Sequence, residues 1–136
     1  GMHAAVLSVK LKHLDTWTSE RIAAAVRYDE LLNHHSSLTV PHTPENCKHV
    51  YHLYVVQSPD RDALATHLTE QGIGNAIHYP TPLPAMDCYL HLNTPASDYP
   101  VAAAACERIL SLPMFGELRE EEINSVTIQA NSYNQK

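Results

Sequence analysis

Glycine is scarce in this chain: there are four in 136 residues, and Gly1, ahead of Met2, reads as a residue left by tag removal, with Met2 the native start. Two of the other three, Gly72 and Gly74, flank Ile73. No segment can therefore offer the nest of backbone N–H groups that cradles a phosphate at a helix start. Basic residues are few as well, nine Lys and Arg against fifteen Asp and Glu, for a formal charge of −6. They are scattered rather than gathered into a patch or stripe, which argues against nucleic acid as a partner. The three cysteines, Cys47, Cys88 and Cys106, are odd in number and widely spaced, with no C-x-x-C pair. They suit a reducing cytoplasmic setting rather than a disulfide framework. No apolar run approaches the span of a membrane helix, so no membrane partner is expected.

A chain of this length fits one domain, which at this size buries roughly two-thirds of its unfolded surface without disulfides or metal. From Ala4 to about His34 there is no proline and no glycine, and Leu7, Leu11, Leu14, Ile22, Ala25 and Leu32 recur at helical spacing. One long helix is expected, with Val6, Val9 and Trp17 widening its apolar face beyond what one partner covers. Pro41 and Pro44 mark a loop, and residues 48–57 are β-branched and aromatic, a strand pattern. Ser58-Pro59-Asp60 starts a helix that Gly72 ends, and Ile73 to Tyr79 reads as a second strand that Pro80, Pro82 and Pro84 stop. A short helical turn over Met86 to His91, an alanine-rich helix from Tyr99-Pro100 to about Arg108, and a third short strand, Ile109 to Leu112, follow. The last helix runs from Arg119 to about Ala130, with Glu120, Glu121 and Glu122 in its first turn, where the helix dipole favours acid. The fold class is α+β: a two-layer sandwich of a small three-stranded sheet with helices, preceded by the long helix, over residues 2–130, with 131–136 a disordered tail.

The series Arg61-Asp62-x-Leu64, Gly72-Ile73 and His78-Tyr79-Pro80, with Leu110-Ser111-Leu112-Pro113 after it and Ala4-Ala5-Val6-Leu7 before it, resembles the C-terminal small domain of DegT/DnrJ/StrS-type aminotransferases. That resemblance implies a mainly antiparallel sheet and a pyridoxal-phosphate enzyme that moves an amino group, from a donor such as glutamate, to a nucleotide-linked keto-sugar. It also implies that the lysine holding the cofactor lies in a large N-terminal domain absent from this chain, which would be inactive alone and would meet a nucleotide-sugar only with that domain. By resemblance His78 and Tyr79 stand in the wall of the substrate pocket. The sequence departs from the family pattern at Pro84, where a second His is usual, at Ala103, where an acid is, and at Gly116, where a Pro is. The family's first helix joins the two domains, so here its apolar strip is expected to be exposed and to pair two copies into a homodimer.

The residues themselves support the same division of labour. Lys10 and Lys12 fall on the charged side of the first helix, Lys48 opens a strand and Lys136 ends the tail, so no lysine is expected in a cavity and no pyridoxal phosphate on this chain alone. His78 and Tyr79, a hydrogen-bonding pair at a strand end held by prolines, are expected at the rim of the broadest concave surface; the bland alternative is two half-buried residues at a sheet edge. Ten histidines invite a metal reading, above all Cys47-Lys48-His49-Val50-Tyr51-His52. An extended chain would send His52 to the face opposite Cys47 and His49, which argues against zinc. His34 and His35 suit a helix C-terminus, and Cys106 a small buried thiol rather than a nucleophile.

Overall fold

The computed structural model describes residues 1–32 and 37–133, so His34, His35 and the final three residues of the expected tail lie outside the described residues. Along it run α1 (Met2–Leu11), α2 (Leu14–Leu32), β1 (Tyr54–Gln57), α3 (Arg61–Glu70), α4 (Pro100–Arg108), β2 (Ile109–Leu112) and α5 (Glu120–Ser132), with 3-10 turns at Leu83–Ala85, Asp87–Leu92 and Ala96–Asp98. The long first helix is two helices. Lys12 N–H bonds Val9 O and His13 N–H bonds Lys10 O, so the turn tightens to i−3 bonding before Trp17 N–H restarts the α pattern on His13 O. No residue of α1 is buried, so no tertiary contact obliges the chain to continue straight.

Among the described residues the sheet has two strands rather than three. β1 and β2 pair antiparallel, with Tyr54 opposite Leu112, Val55 opposite Ser111 and Val56 opposite Leu110. Of the expected strand at residues 73–79 only a single bridge remains, Ala76 to Ser111, and on the far edge Thr39 bridges Gln57. The first expected strand is likewise shortened at its start. Tyr51 has φ 48°, a left-handed conformation that interrupts extension, so pairing begins only at Tyr54. α+β with an antiparallel sheet stands, and helices α2, α3 and α5 form the second layer.

Tyr54, Val56, Leu110 and Leu112 turn into that layer, where they meet Ala25, Tyr28 and Leu32 of α2, Leu64 and Leu68 of α3, and Ile123 and Val126 of α5. Two tyrosines anchor it. Their rings stack at 4.7 Å; the Tyr28 hydroxyl donates to Pro113 O at 3.0 Å and that of Tyr54 to Asp29 Oδ1 at 2.6 Å. Burial pushes both phenols above their ordinary value, and raises the Asp29 carboxyl against the pull of the Tyr54 bond.

Two glycines are used as expected of glycine. Gly72 has φ 75°; its N–H bonds Thr69 O while that of Ile73 bonds Leu68 O, the paired bonds of a Schellman end to α3. Gly116 lies where the backbone passes Trp17: a Cβ there would sit 3.2 Å from Trp17 Cδ1 and 2.8 Å from Glu20 Oε2. At the other end, α5 runs two residues beyond Ala130, and Asn131 Nδ2 donates to Leu31 O at 3.0 Å, so residues 131 and 132 belong to the helix, not to a tail.

Candidate functional site

Alternation along residues 76–78 sets up the first candidate group. Ile77 packs on the core, so Ala76 and His78 take the face of the sheet turned away from it. Ser111 is on that same face, between the core residues Leu110 and Leu112. His78 Nδ1 lies 2.9 Å from Ser111 Oγ, which fixes the ring over β2 and buries the serine beneath it. Tyr79 goes elsewhere. Its ring stands perpendicular to that of His78 with centroids 5.4 Å apart, is 69% exposed, and lines an apolar hollow of about 330 Å³ with Pro80, Thr81, Leu83 and Met86. The two residues are neighbours with different surroundings: His78 is half-buried on the sheet and is not part of the lining of the Tyr79 hollow.

A shallow, open surface lies along the segment before β1, lined by Lys48, His49, Val50, His52, Leu53 and Val55. Lys48 borders this open surface rather than an enclosed cavity, and residues 48–53 are not a strand. Tyr51 makes the difference. Its N–H donates to His49 Nδ1 at 2.9 Å and its hydroxyl bonds Thr43 Oγ1 at 3.1 Å, which holds the left-handed turn. The same turn puts His49 and His52 on one surface, so the alternation argued from an extended chain does not apply. Arg21 Nη1 donates to the carbonyls of Tyr51, His52 and Met114 at 3.2–3.3 Å. Among the described residues that guanidinium has no carboxylate partner. Nothing in the periodicity of residues 48–57 signalled this; only the left-handed φ of a tyrosine reveals it.

Among the described residues no three His, Cys, Asp or Glu side chains converge as metal ligands. Cys47 and Cys88 are exposed and Cys106 half-buried. Pyridoxal phosphate needs an amine, a carboxylate for the ring nitrogen and several phosphate donors in one place. The residues here do not fit it: the surface with Lys48 has no carboxylate in its lining, and the hollow with Tyr79 has no lysine.

The model of the DegT/DnrJ/EryC1/StrS aminotransferase family matches residues 1–130. The erythromycin biosynthesis sensory transduction protein EryC1 of Saccharopolyspora erythraea is 38% identical over 125 residues, 92% of this chain and 34% of that protein. UDP-N-acetyl-3-dehydro-α-D-glucosamine 3-aminotransferase of Acidithiobacillus ferrooxidans is 39% identical over 122 residues, 90% of this chain and 32% of that enzyme. The crystal structure of DesV from Streptomyces venezuelae superimposes with a TM-score of 0.89 at 32% identity, covering 98% of this chain and 37% of DesV. The chain thus spans about a third of the length of the curated relatives it matches.

Proposed function

The chain belongs to the DegT/DnrJ/EryC1/StrS aminotransferase family, and on that premise we propose that it forms the small domain of a pyridoxal-phosphate-dependent aminotransferase of nucleotide-linked keto-sugars. In this reading the enzyme is cytoplasmic, His78 and Tyr79 stand in the wall of the substrate pocket, and the cofactor's lysine belongs to the part of the relatives that this chain does not span. The observation that carries it is the His78 ring, held by Ser111 on the sheet face away from the core. That is a hydrogen-bonding group held against a regular strand, β2, and presented where a second domain could close over it. The cofactor, when bound by the larger part, would supply the electron sink for amino transfer. This chain's residues would orient the sugar and help to exclude water.

The test joins this chain to the remaining two-thirds of the Acidithiobacillus enzyme in place of that enzyme's own last third. The joined protein should turn over its keto-sugar with glutamate as donor, and the 136-residue chain alone should show neither turnover nor the near-ultraviolet absorbance of a bound cofactor. Turnover by the chain alone would reject the reading, as would a folded, cofactor-loaded but inactive joined protein.

One observation favours a second reading, a non-catalytic module that pairs with its own copy. Leu7 and Leu11, one turn apart on the same face of α1, are 64% and 68% exposed, and Leu14, the first residue of α2 beyond the break, is 50% exposed. Trp17, half-buried beside Gly116, is less free than its sequence suggested. On this reading light scattering should give a dimer at high concentration, and the pair Leu7→Glu with Leu11→Glu a monomer. A wild-type chain that stays monomeric throughout rejects it.

A further inference from the structure

Ser111 is 4% exposed, and its main chain is engaged on the Ala76 side: its N–H donates to Ala76 O at 2.8 Å and its carbonyl accepts the Ala76 N–H at 3.2 Å. Its partner across the β1 pairing is Val55, whose side chain has no polar atom to offer. Among the described residues the one hydrogen-bond partner of Ser111 Oγ is His78 Nδ1, at 2.9 Å. That decides which way the bond runs. A hydroxyl has a single proton, and a ring nitrogen of neutral imidazole either donates or accepts. Were Nδ1 the donor, the hydroxyl proton would be left in a buried place without an acceptor, the costlier arrangement. Ser111 therefore donates, Nδ1 accepts, and the imidazole proton is on Nε2. The ring has a second restraint in Tyr79, whose ring meets it edge to face at 5.4 Å and 88°. Nε2 has no partner among the described residues, and His78 is only half-buried.

We propose that Ser111 is a positioning residue: by donating to His78 Nδ1 it holds the neutral imidazole as the Nε2–H tautomer, and so makes His78 a hydrogen-bond donor to an acceptor oxygen of the sugar rather than a base. That the acceptor is a sugar oxygen rests on the small-domain reading; the tautomer rests on the geometry. In this form Nε2 has no lone pair in the ring plane with which to take a proton, and Nδ1, which has one, is occupied by the serine. A keto or hydroxyl oxygen can accept from such a group, whereas an ammonium cannot. The register of β2 sets this up. Leu110 and Leu112 turn into the core, so the hydroxyl between them faces the other side of the sheet, where residues 76–78 run alongside.

The experiment records long-range ¹H–¹⁵N spectra of the histidine rings in the ¹⁵N-labelled 136-residue chain at alkaline pH, with the His78 signals identified by their loss in His78→Gln. In the wild-type chain Nδ1 should resonate wholly as an unprotonated nitrogen and Nε2 wholly as a protonated one. Ser111→Ala should let the two tautomers exchange and draw the two ¹⁵N shifts toward each other. Ser111→Thr, which keeps the hydroxyl, should hold them apart, with circular dichroism showing both variants folded. In the joined enzyme Ser111→Ala should raise KM for the keto-sugar about three- to tenfold with little change in kcat, and Ser111→Thr should restore it. His78→Gln, whose amide N–H can stand near the place of Nε2–H, should keep at least about threefold more kcat/KM than His78→Ala. The proposal is overturned if Nδ1 carries the proton in the wild-type chain, if the folded Ser111→Ala chain gives the wild-type His78 spectrum, or if His78→Gln is no better than His78→Ala in an active joined enzyme. A fixed tautomer in a chain whose joined enzyme is inactive would keep the Ser111 assignment and reject the small-domain reading. An active joined enzyme in which both tautomers are populated would do the reverse.

Discussion

Leu110→Ala should lower the stability of the chain by about 2–5 kcal/mol, while Ser111→Ala, one position along, should cost only about 1 kcal/mol. The difference comes from the two faces of one strand. Leu110 is fully buried among the core residues of α2, α3 and α5, so its truncation removes apolar burial and leaves a space that close-packed neighbours fill only in part. Ser111, though also buried, contributes one hydroxyl to one hydrogen bond, and that bond is to His78. Domains of this size are stable by about 5–15 kcal/mol, so the first loss takes a large share of the total. Denaturant unfolding of the two variants measures both. Equal losses would mean that β2 does not divide core from site as described.

Arg21→Met should be the second most damaging change, at about 1–3 kcal/mol. It removes no ion pair found among the described residues; instead it leaves the carbonyls of Tyr51, His52 and Met114 without their shared donor. Those carbonyls tie the segment before β1 to the segment after β2, so its loss should appear as faster amide exchange at residues 49–53 as well as in the unfolding midpoint. Lysine in its place should recover little, because a single ammonium cannot reproduce the guanidinium's fixed planar geometry. A variant with wild-type exchange at those residues would show that Tyr51 keeps its turn unaided.

What the sequence revealed depended on how local each cause was. The end of α3 was legible because Gly72 and the apolar pattern of Leu64 and Leu68 are sufficient for a helix stop, and the observed φ and hydrogen bonds agree. The start of α5 was legible through its acidic first turn; Glu122 accepts from the guanidinium and the backbone N–H of Arg119, which holds its carboxyl below the ordinary range. Residues 48–53 misled, since His-Val-Tyr-His-Leu has strand composition and the turn at Tyr51 rests on Thr43 and His49, contacts no periodicity encodes. The strand expected over residues 73–79 failed for a similar reason: those residues lie beside β2 but meet it at one bridge before the prolines divert the chain. His78 was found as a candidate by resemblance and by its proline neighbours; that its ring would meet Ser111 was invisible until the register was known.

The central claim is that the sheet face bearing His78 looks onto the substrate, and the kinetics of the joined enzyme test it most directly. With His78→Ala in that protein, kcat/KM for the keto-sugar should fall roughly 10- to 100-fold, the effect of losing one strong hydrogen bond to the substrate or its transition state. Ser111→Ala should give a smaller fall of the same kind, since it acts only by releasing the ring. Unchanged kcat/KM for a folded, cofactor-loaded His78→Ala enzyme would contradict the account.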